Sequence, residues 1–168
     1  MKQADIALLY EYNYWANRRI LTAASRINLG QFVAPTAFPW GNLRGTLVHI
    51  LDAELGWREL LDHGLEVPDL AQADFPSLAV LEARWREEEV AMQKYLDGLT
   101  DEKLNSIIRY TNPQGIKRER VLWHGLFHVV NHGTQHRSEA AAMLTGFGQS
   151  PGDVDFTIFL REHLQQKA

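Results

Sequence analysis

The sequence contains no cysteine. That excludes disulfides, a thiol nucleophile and every thiolate ligand, and it confines any metal site to His, Asp, Glu and oxygen donors from backbone or water. A dense basic tract is also missing. The nearest approach, IKRER at 116–120, is short and interrupted by Glu119, and the formal net charge is −4. Both argue against a phosphate-binding footprint, so no nucleic acid partner is expected. Long apolar runs are lacking too. MKQADIALLYEYNYWANRR at the start is broken by charged and polar residues, so neither a signal peptide nor a membrane span is expected there, and the expected compartment is the cytoplasm. There is no internal repeat and no low-complexity segment. What remains is 168 residues, 45% hydrophobic and 23% charged, which is ordinary for a globular protein of one domain, expected over 1–168.

Apolar residues recur at helical spacing through most of the chain. Over residues 3–26 the stripe is Ile6, Leu9, Tyr10, Asn13, Tyr14, Asn17, Ile20, Leu21 and Ala24. NLGQFVAPTAFPWGN, with two glycines and two prolines, reads as a loop. A second helix starts near Asn42 or Leu43 and ends at Gly64, with Leu43, Leu47, Ile50, Leu51, Leu55 and Leu61 on its apolar face and His49, Asp52 and Glu54 among them. After the loop EVPDLAQADFP, a third helix covers PSLAVLEARWREEEVAMQKYLDGL, capped near Ser77 and closing near Gly98. Its run Glu87, Glu88, Glu89 reads as a solvated face. NSIIRYTNPQGIKRERV alternates around the turn residues Pro113 and Gly115 and predicts a hairpin. A fourth helix covers roughly 120–145, and DVDFTIFLREHLQQ forms a fifth, with Asp153 as its expected cap. The expected fold is therefore all-α: a four-helix bundle with a short hairpin excursion before the fourth helix and a shorter C-terminal helix. Ligand sites in such bundles are built from side chains on facing helices.

Four of the seven histidines stand at intervals of four in WHGLFHVVNHGTQHRSE: His124, His128, His132 and His136. On a helix, each such step turns the side chain by roughly 40° and advances it about 6 Å. Neighbouring rings can converge on one ion, whereas His124 and His136, about 18 Å apart along the axis, cannot. A third ligand has to come from another helix. His63, beside Gly64, suits a helix terminus, where histidine pairs with carbonyls and the dipole. His163, beside Arg161 and Glu162, reads as solvent-facing. His49 lies mid-helix between Val48 and Ile50, where a lone charged imidazole is expensive to bury, so a ligand role or a hydrogen-bonded core role would explain it. Spacing alone leaves open which adjacent pair binds.

HVVNHGTQHRSEAAAML resembles the signature of the DinB-like family, named for DNA-damage-inducible members and part of a wider superfamily of metal-dependent thiol transferases. YNYWANRRIL at 12–21, LVHILDAELGW at 47–57 and DVDFTIFL in the last helix agree with it, in the same order along nearly the whole chain. The resemblance implies a four-helix bundle holding one divalent ion on three histidines. Carried onto this sequence they are His49 from the second helix and the pair His132 and His136. It places His128 beside that pair, while His124 reads as structural. Where the family usually continues with RGQ, this chain has Arg137, Ser138 and Glu139. Glu139 follows His136 by three residues, as Asp52 follows His49, which raises a carboxylate-richer, dinuclear alternative.

Three neutral imidazoles would leave a divalent ion with open positions, where it lowers the pKa of bound water or holds a thiol as thiolate. The superfamily resemblance implies the second use, a small thiol activated and transferred to an electrophile. The expected cofactor is one divalent ion, with zinc, nickel and iron not distinguished, and the expected partner is a small-molecule substrate such as a low-molecular-weight thiol. A homodimer is implied by the resemblance alone. Candidate catalytic residues are Asp52 and Glu139, with Arg137, Tyr14, Trp15, Asn13 and Asn17 as candidate helpers. Two rival readings are a non-catalytic bundle pinned by its metal, serving dimerisation or partner binding, and a metal-dependent hydrolase with Glu139 or Asp52 as base.

Overall fold

The computed structural model of the chain describes residues 1–111 and 115–166. In them, seven helices and a two-stranded sheet follow one another as α1 (Gln3–Ala24), α2 (Leu29–Phe32), α3 (Leu43–His63), α4 (Leu78–Asp97), α5 (Asp101–Leu104), β1 (Ile107–Thr111), β2 (Lys117–Val121), α6 (Leu122–Gly146) and α7 (Phe156–Gln166), with a single 3-10 turn at Gln72–Asp74. The four long helices form a bundle. α6 packs against α1 and α3, and α4 packs against the same two helices, which closes the ring. The expected all-α bundle with a hairpin excursion is therefore what the chain forms. No helix among the described residues is long and apolar enough to cross a membrane.

Helix limits follow local chemistry. The Asn42 side chain accepts the N–H of Gly45 at 2.8 Å and fixes the start of α3, while Gly64, at φ 68°, ends it in a left-handed conformation that suits glycine. Ser77 caps α4 by accepting from Val80. Two limits differ from the sequence expectation. The segment read as loop after α1 contains α2, because Asn28 and Gln31 satisfy each other's backbone N–H groups in a capping box. The last helix starts at Phe156, and its cap is Asp155, not Asp153: the Asp155 carboxylate accepts the Thr157 N–H at 2.7 Å. The hairpin pairs antiparallel from Ile107 with Val121 to Thr111 with Lys117. Gly115 is at φ 76°, as a turn residue can be, whereas Pro113 lies outside the described residues.

The core is divided. One apolar cluster gathers Tyr10, Met92, Leu96, Leu126 and Val130, and another gathers Ile20, Leu47, Leu51, Leu81 and Leu144. On each long helix, polar residues fall between the two sets. Asn13 and Asn17 of α1 donate to Glu54 Oε1 at 2.7 and 2.9 Å, and Trp85 of α4 donates to Glu54 Oε2 at 2.9 Å. Arg137 of α6 donates to the Oδ1 atoms of Asn13 and Asn17, and its other terminal nitrogen reaches Thr134 Oγ1 at 3.0 Å. Gly133 gives this guanidinium room, since a Cβ there would stand 2.7 Å from Arg137 Nη1. Glu54 and Arg137 are buried without touching, joined through two amides. Burial pushes the Glu54 carboxyl up, and the donors from Asn13, Asn17 and Trp85 pull it back.

A second buried pair lies nearby. Arg58 of α3 holds Glu88 of α4 through Nε and Nη2 at 2.5 and 2.9 Å. Glu88 is thus part of a helix–helix tie and not of a solvated face, although Glu87 is exposed as expected.

Candidate metal centre

α3 and α6 pack side by side and bring His49 opposite His132 and His136. One nitrogen from each of the three rings can be chosen so that all lie within 4.8 Å of one another. No carboxylate joins this group among the described residues, so the carboxylate-rich dinuclear alternative gains no ligand there. His49 Nε2 and His132 Nε2 face each other at 2.9 Å. Two nitrogens each ~2.0–2.1 Å from one ion lie roughly 2.9–3.4 Å apart, so that pair already has the separation of two ligands on one metal. The donor set fits a divalent ion of the kind that accepts imidazole.

Electrostatics keep two of the rings neutral. Burial pushes both His49 and His132 down to about 4, and the neighbouring His136 adds to the effect. Near neutral pH each therefore offers a lone pair. His136, the most buried of the three, has its Nδ1 at 2.9 Å from Glu139 Oε2. A carboxylate can only accept, so Nδ1 carries the proton and Nε2 is left to bind. Such a carboxylate–histidine pair is the usual support for a metal ligand. Among the described residues His132 Nδ1 is buried with no hydrogen-bond partner.

Trp40 completes the surroundings of His49. Its indole stacks on the imidazole with centroids 3.6 Å apart and planes at 21°, and it meets His136 edge-on at 6.3 Å. The loop reaches this position because residue 45 is glycine: a Cβ there would lie 2.2 Å from the Trp40 carbonyl oxygen. A tryptophan in a Pro- and Gly-rich loop was the available signal, but nothing local in the sequence joins it to a histidine nine positions later.

The other candidates separate clearly. Asp52 is turned to the backbone of the following loop, where its carboxylate accepts the Leu70 N–H at 2.7 Å, and burial pushes its carboxyl up. His128 is exposed, 5.6 Å ring to ring from His132 and 5.2 Å from Trp57, beside the group as expected. His124 packs edge-on against Trp123. His63 is exposed beside Asp62. His163 is not simply solvent-facing, because it stacks on Phe159 and lies 3.3 Å from Glu11. Arg137, Asn13 and Asn17 do not reach the rings, being committed to the buried network. Tyr14 is buried against Tyr10, and Trp15 donates to Glu162. Glu54 shows in the sequence only as an acid on the apolar face of its helix, with no sign of its partners on α1 and α4 or of Arg137 on α6.

A family model for the DinB family matches residues 1–168. The protein DinB of Bacillus subtilis (strain 168) is 28% identical over 166 residues, covering 95% of this chain and 96% of that protein.

Proposed function

This chain belongs to the DinB family, and from that premise we propose that it binds one divalent metal ion through His49, His132 and His136 and acts as a metal-dependent thiol transferase. The observation that carries the reading is the composition of the ring group: three imidazoles from two helices, with no carboxylate among them to close the site. Structural sites use four protein ligands, and catalytic sites keep a position open. When bound, a divalent ion would supply Lewis acidity that holds a small thiol as its thiolate. In the overall reaction a sulfur–carbon bond forms, the bond from that carbon to its leaving group breaks, and the thiol proton passes to a base.

The residues of the chain take distinct parts in this proposal. Glu139 fixes the tautomer and orientation of His136. Trp40 covers one face of His49 and restricts its ring. Asp52, one turn along α3 from His49, is the candidate proton acceptor, and burial makes its carboxylate a stronger base than usual. Imidazole suits zinc, nickel and iron alike, so the cofactor is proposed as a class.

The test begins with metal content per chain, by elemental analysis of protein purified without a histidine tag. One equivalent in the wild type, lost in His49→Ala, His132→Ala and His136→Ala, is the expected outcome. Loaded protein is then incubated with low-molecular-weight thiols and an aryl halide, and thioether formation is followed. One bound metal with no turnover on any thiol would favour the metal-pinned, non-catalytic bundle. An empty wild type after incubation with zinc and nickel would remove both readings.

A further inference from the structure

Next to the ring group, α3, the segment after it and β1 enclose an open cleft of about 710 Å³. Its walls include Asp52, Gly56, Trp57, Glu66, Asp69 and Tyr110. Asp52 lies one helical turn from His49, and Trp57 continues a row of rings through His128 to His132, with centroid steps of 5.2 and 5.6 Å. The cleft is thus connected to the three histidines through α3 and this row of rings, but does not include them.

The chemistry of the walls is one-sided. Three carboxylates line the cleft, and among the described residues no Lys, Arg or His does. Two large aromatic rings supply the remaining character, and electron-rich ring faces attract organic cations. Arg120 braces both rings, 5.3 Å from each centroid, without lining the cleft. Its single positive charge stands against the three negative ones.

Gly56 gives an independent indication. It sits mid-helix in α3, where alanine is the better helix former, and among the described residues nothing lies within 4 Å of the position a Cβ would take. Packing thus gives no reason for a glycine. What the missing side chain does is leave the wall of the cleft open.

We infer that this cleft binds an organic ammonium group attached to an apolar or aromatic body, as the part of the substrate remote from the reacting sulfur. Calling the occupant a substrate rests on the transferase reading; the preference for a cation rests on the cleft alone. Glu66 and Asp69 oppose the ammonium charge, and Trp57 and Tyr110 cover the body.

Benzylamine, benzyl alcohol and phenylacetate share a shape and differ in charge, so they are the probes. Binding to the zinc-treated full chain is followed by the indole N–H resonance of Trp57, assigned with Trp57→Phe. The expected result is a saturable shift with benzylamine at about tenfold lower concentration than with benzyl alcohol, and none with phenylacetate. Glu66→Gln combined with Asp69→Asn, both exposed, reduces that preference, and Gly56→Leu abolishes the shift while leaving zinc content unchanged. Equal binding of the amine and the alcohol, stronger binding of phenylacetate, no shift with benzylamine, or a shift that survives Gly56→Leu would each overturn the inference. The same titration on His49→Ala separates the two readings. A retained preference for benzylamine in that variant supports the cleft even if transferase activity is never found.

Discussion

His136 and Arg137 are consecutive residues of α6, and one helical step puts them in different environments. His136 joins the rings between α3 and α6, while Arg137 enters the network that reaches Glu54 through Asn13 and Asn17. In the network donors meet acceptors. Each asparagine gives an N–H to Glu54 and takes one from Arg137, and Trp85 fills the second carboxylate oxygen; only Arg137 Nε is left without a partner. In the ring group the pairing is open: which of the facing nitrogens of His49 and His132 donates depends on their tautomers. Two Nε2 atoms face each other, and among the described residues the Nδ1 of His132 has no partner. Both clusters are polar and at least partly buried, yet one is satisfied within the chain but for a single nitrogen, and the other would be completed by a cation. The first is suited to stability, and the second could hold a metal ion.

The sharpest way to break that distinction is to attack the network. Arg137→Met leaves a buried carboxylate facing two amides, and breaking a buried charge pair from one side costs ~3–5 kcal/mol. Urea denaturation should show a loss of that size; a change under ~1 kcal/mol would place Arg137 outside the stabilising set. On the other side of the helix, Glu139→Ala removes the partner of His136 Nδ1. The expected effect is a metal affinity ~10–100-fold weaker with little change in the stability of metal-free protein, measured by competition with a chromogenic chelator. Unchanged affinity would mean that Glu139 does not orient a ligand.

Trp40→Ala should have a smaller effect. Aromatic pairs contribute ~0.5–1.5 kcal/mol beyond their area, so a roughly 2–10-fold loss of metal affinity is expected. If His49 needs no such cover, the variant will titrate like the wild type. The smallest effect is on pH dependence. His49 and His132 titrate at about 4 in the folded chain and near 6.5 when unfolded. Between those values the unfolded state binds more protons, so this contribution is fully present above pH 6.5 and is lost as the pH falls toward 4. Both rings are half-exposed, which keeps it modest. Melting temperatures of chelator-treated protein should fall over that window more for the wild type than for His49→Asn combined with His132→Asn. Identical slopes would argue against the depressed values.

Much of the architecture was legible because its causes are local. Asn42 and Ser77 announce helix starts, Gly64 announces an end, and the apolar stripes name the buried faces. The ladder of four histidines was legible for the same reason, as a spacing within one helix, but singling out His132 and His136 from it rested on the family resemblance. What escaped depends on partners far along the chain. Glu88 looked like one of three solvated acids because Arg58 is 30 residues away. Asn13 and Asn17 looked available to a pocket because Glu54 and Arg137, which consume them, lie on two other helices. Trp40 is held over His49 by the close approach at Gly45, which no periodicity reports. Asp155 took the cap expected of Asp153, a difference of two residues that competing aspartates make hard to foresee.

The buried network has a consequence for the ladder of four histidines. Equal spacing means that shifting α6 by four residues, about 6 Å with a rotation of roughly 40°, would present His128 and His132 to His49 in place of His132 and His136. That slip would carry Arg137 away from both asparagines and push its charge among apolar side chains. The network acts as an index mark: it sets the register of α6 against α1 and α3, and thereby determines which two rungs of an otherwise repetitive ladder stand opposite His49.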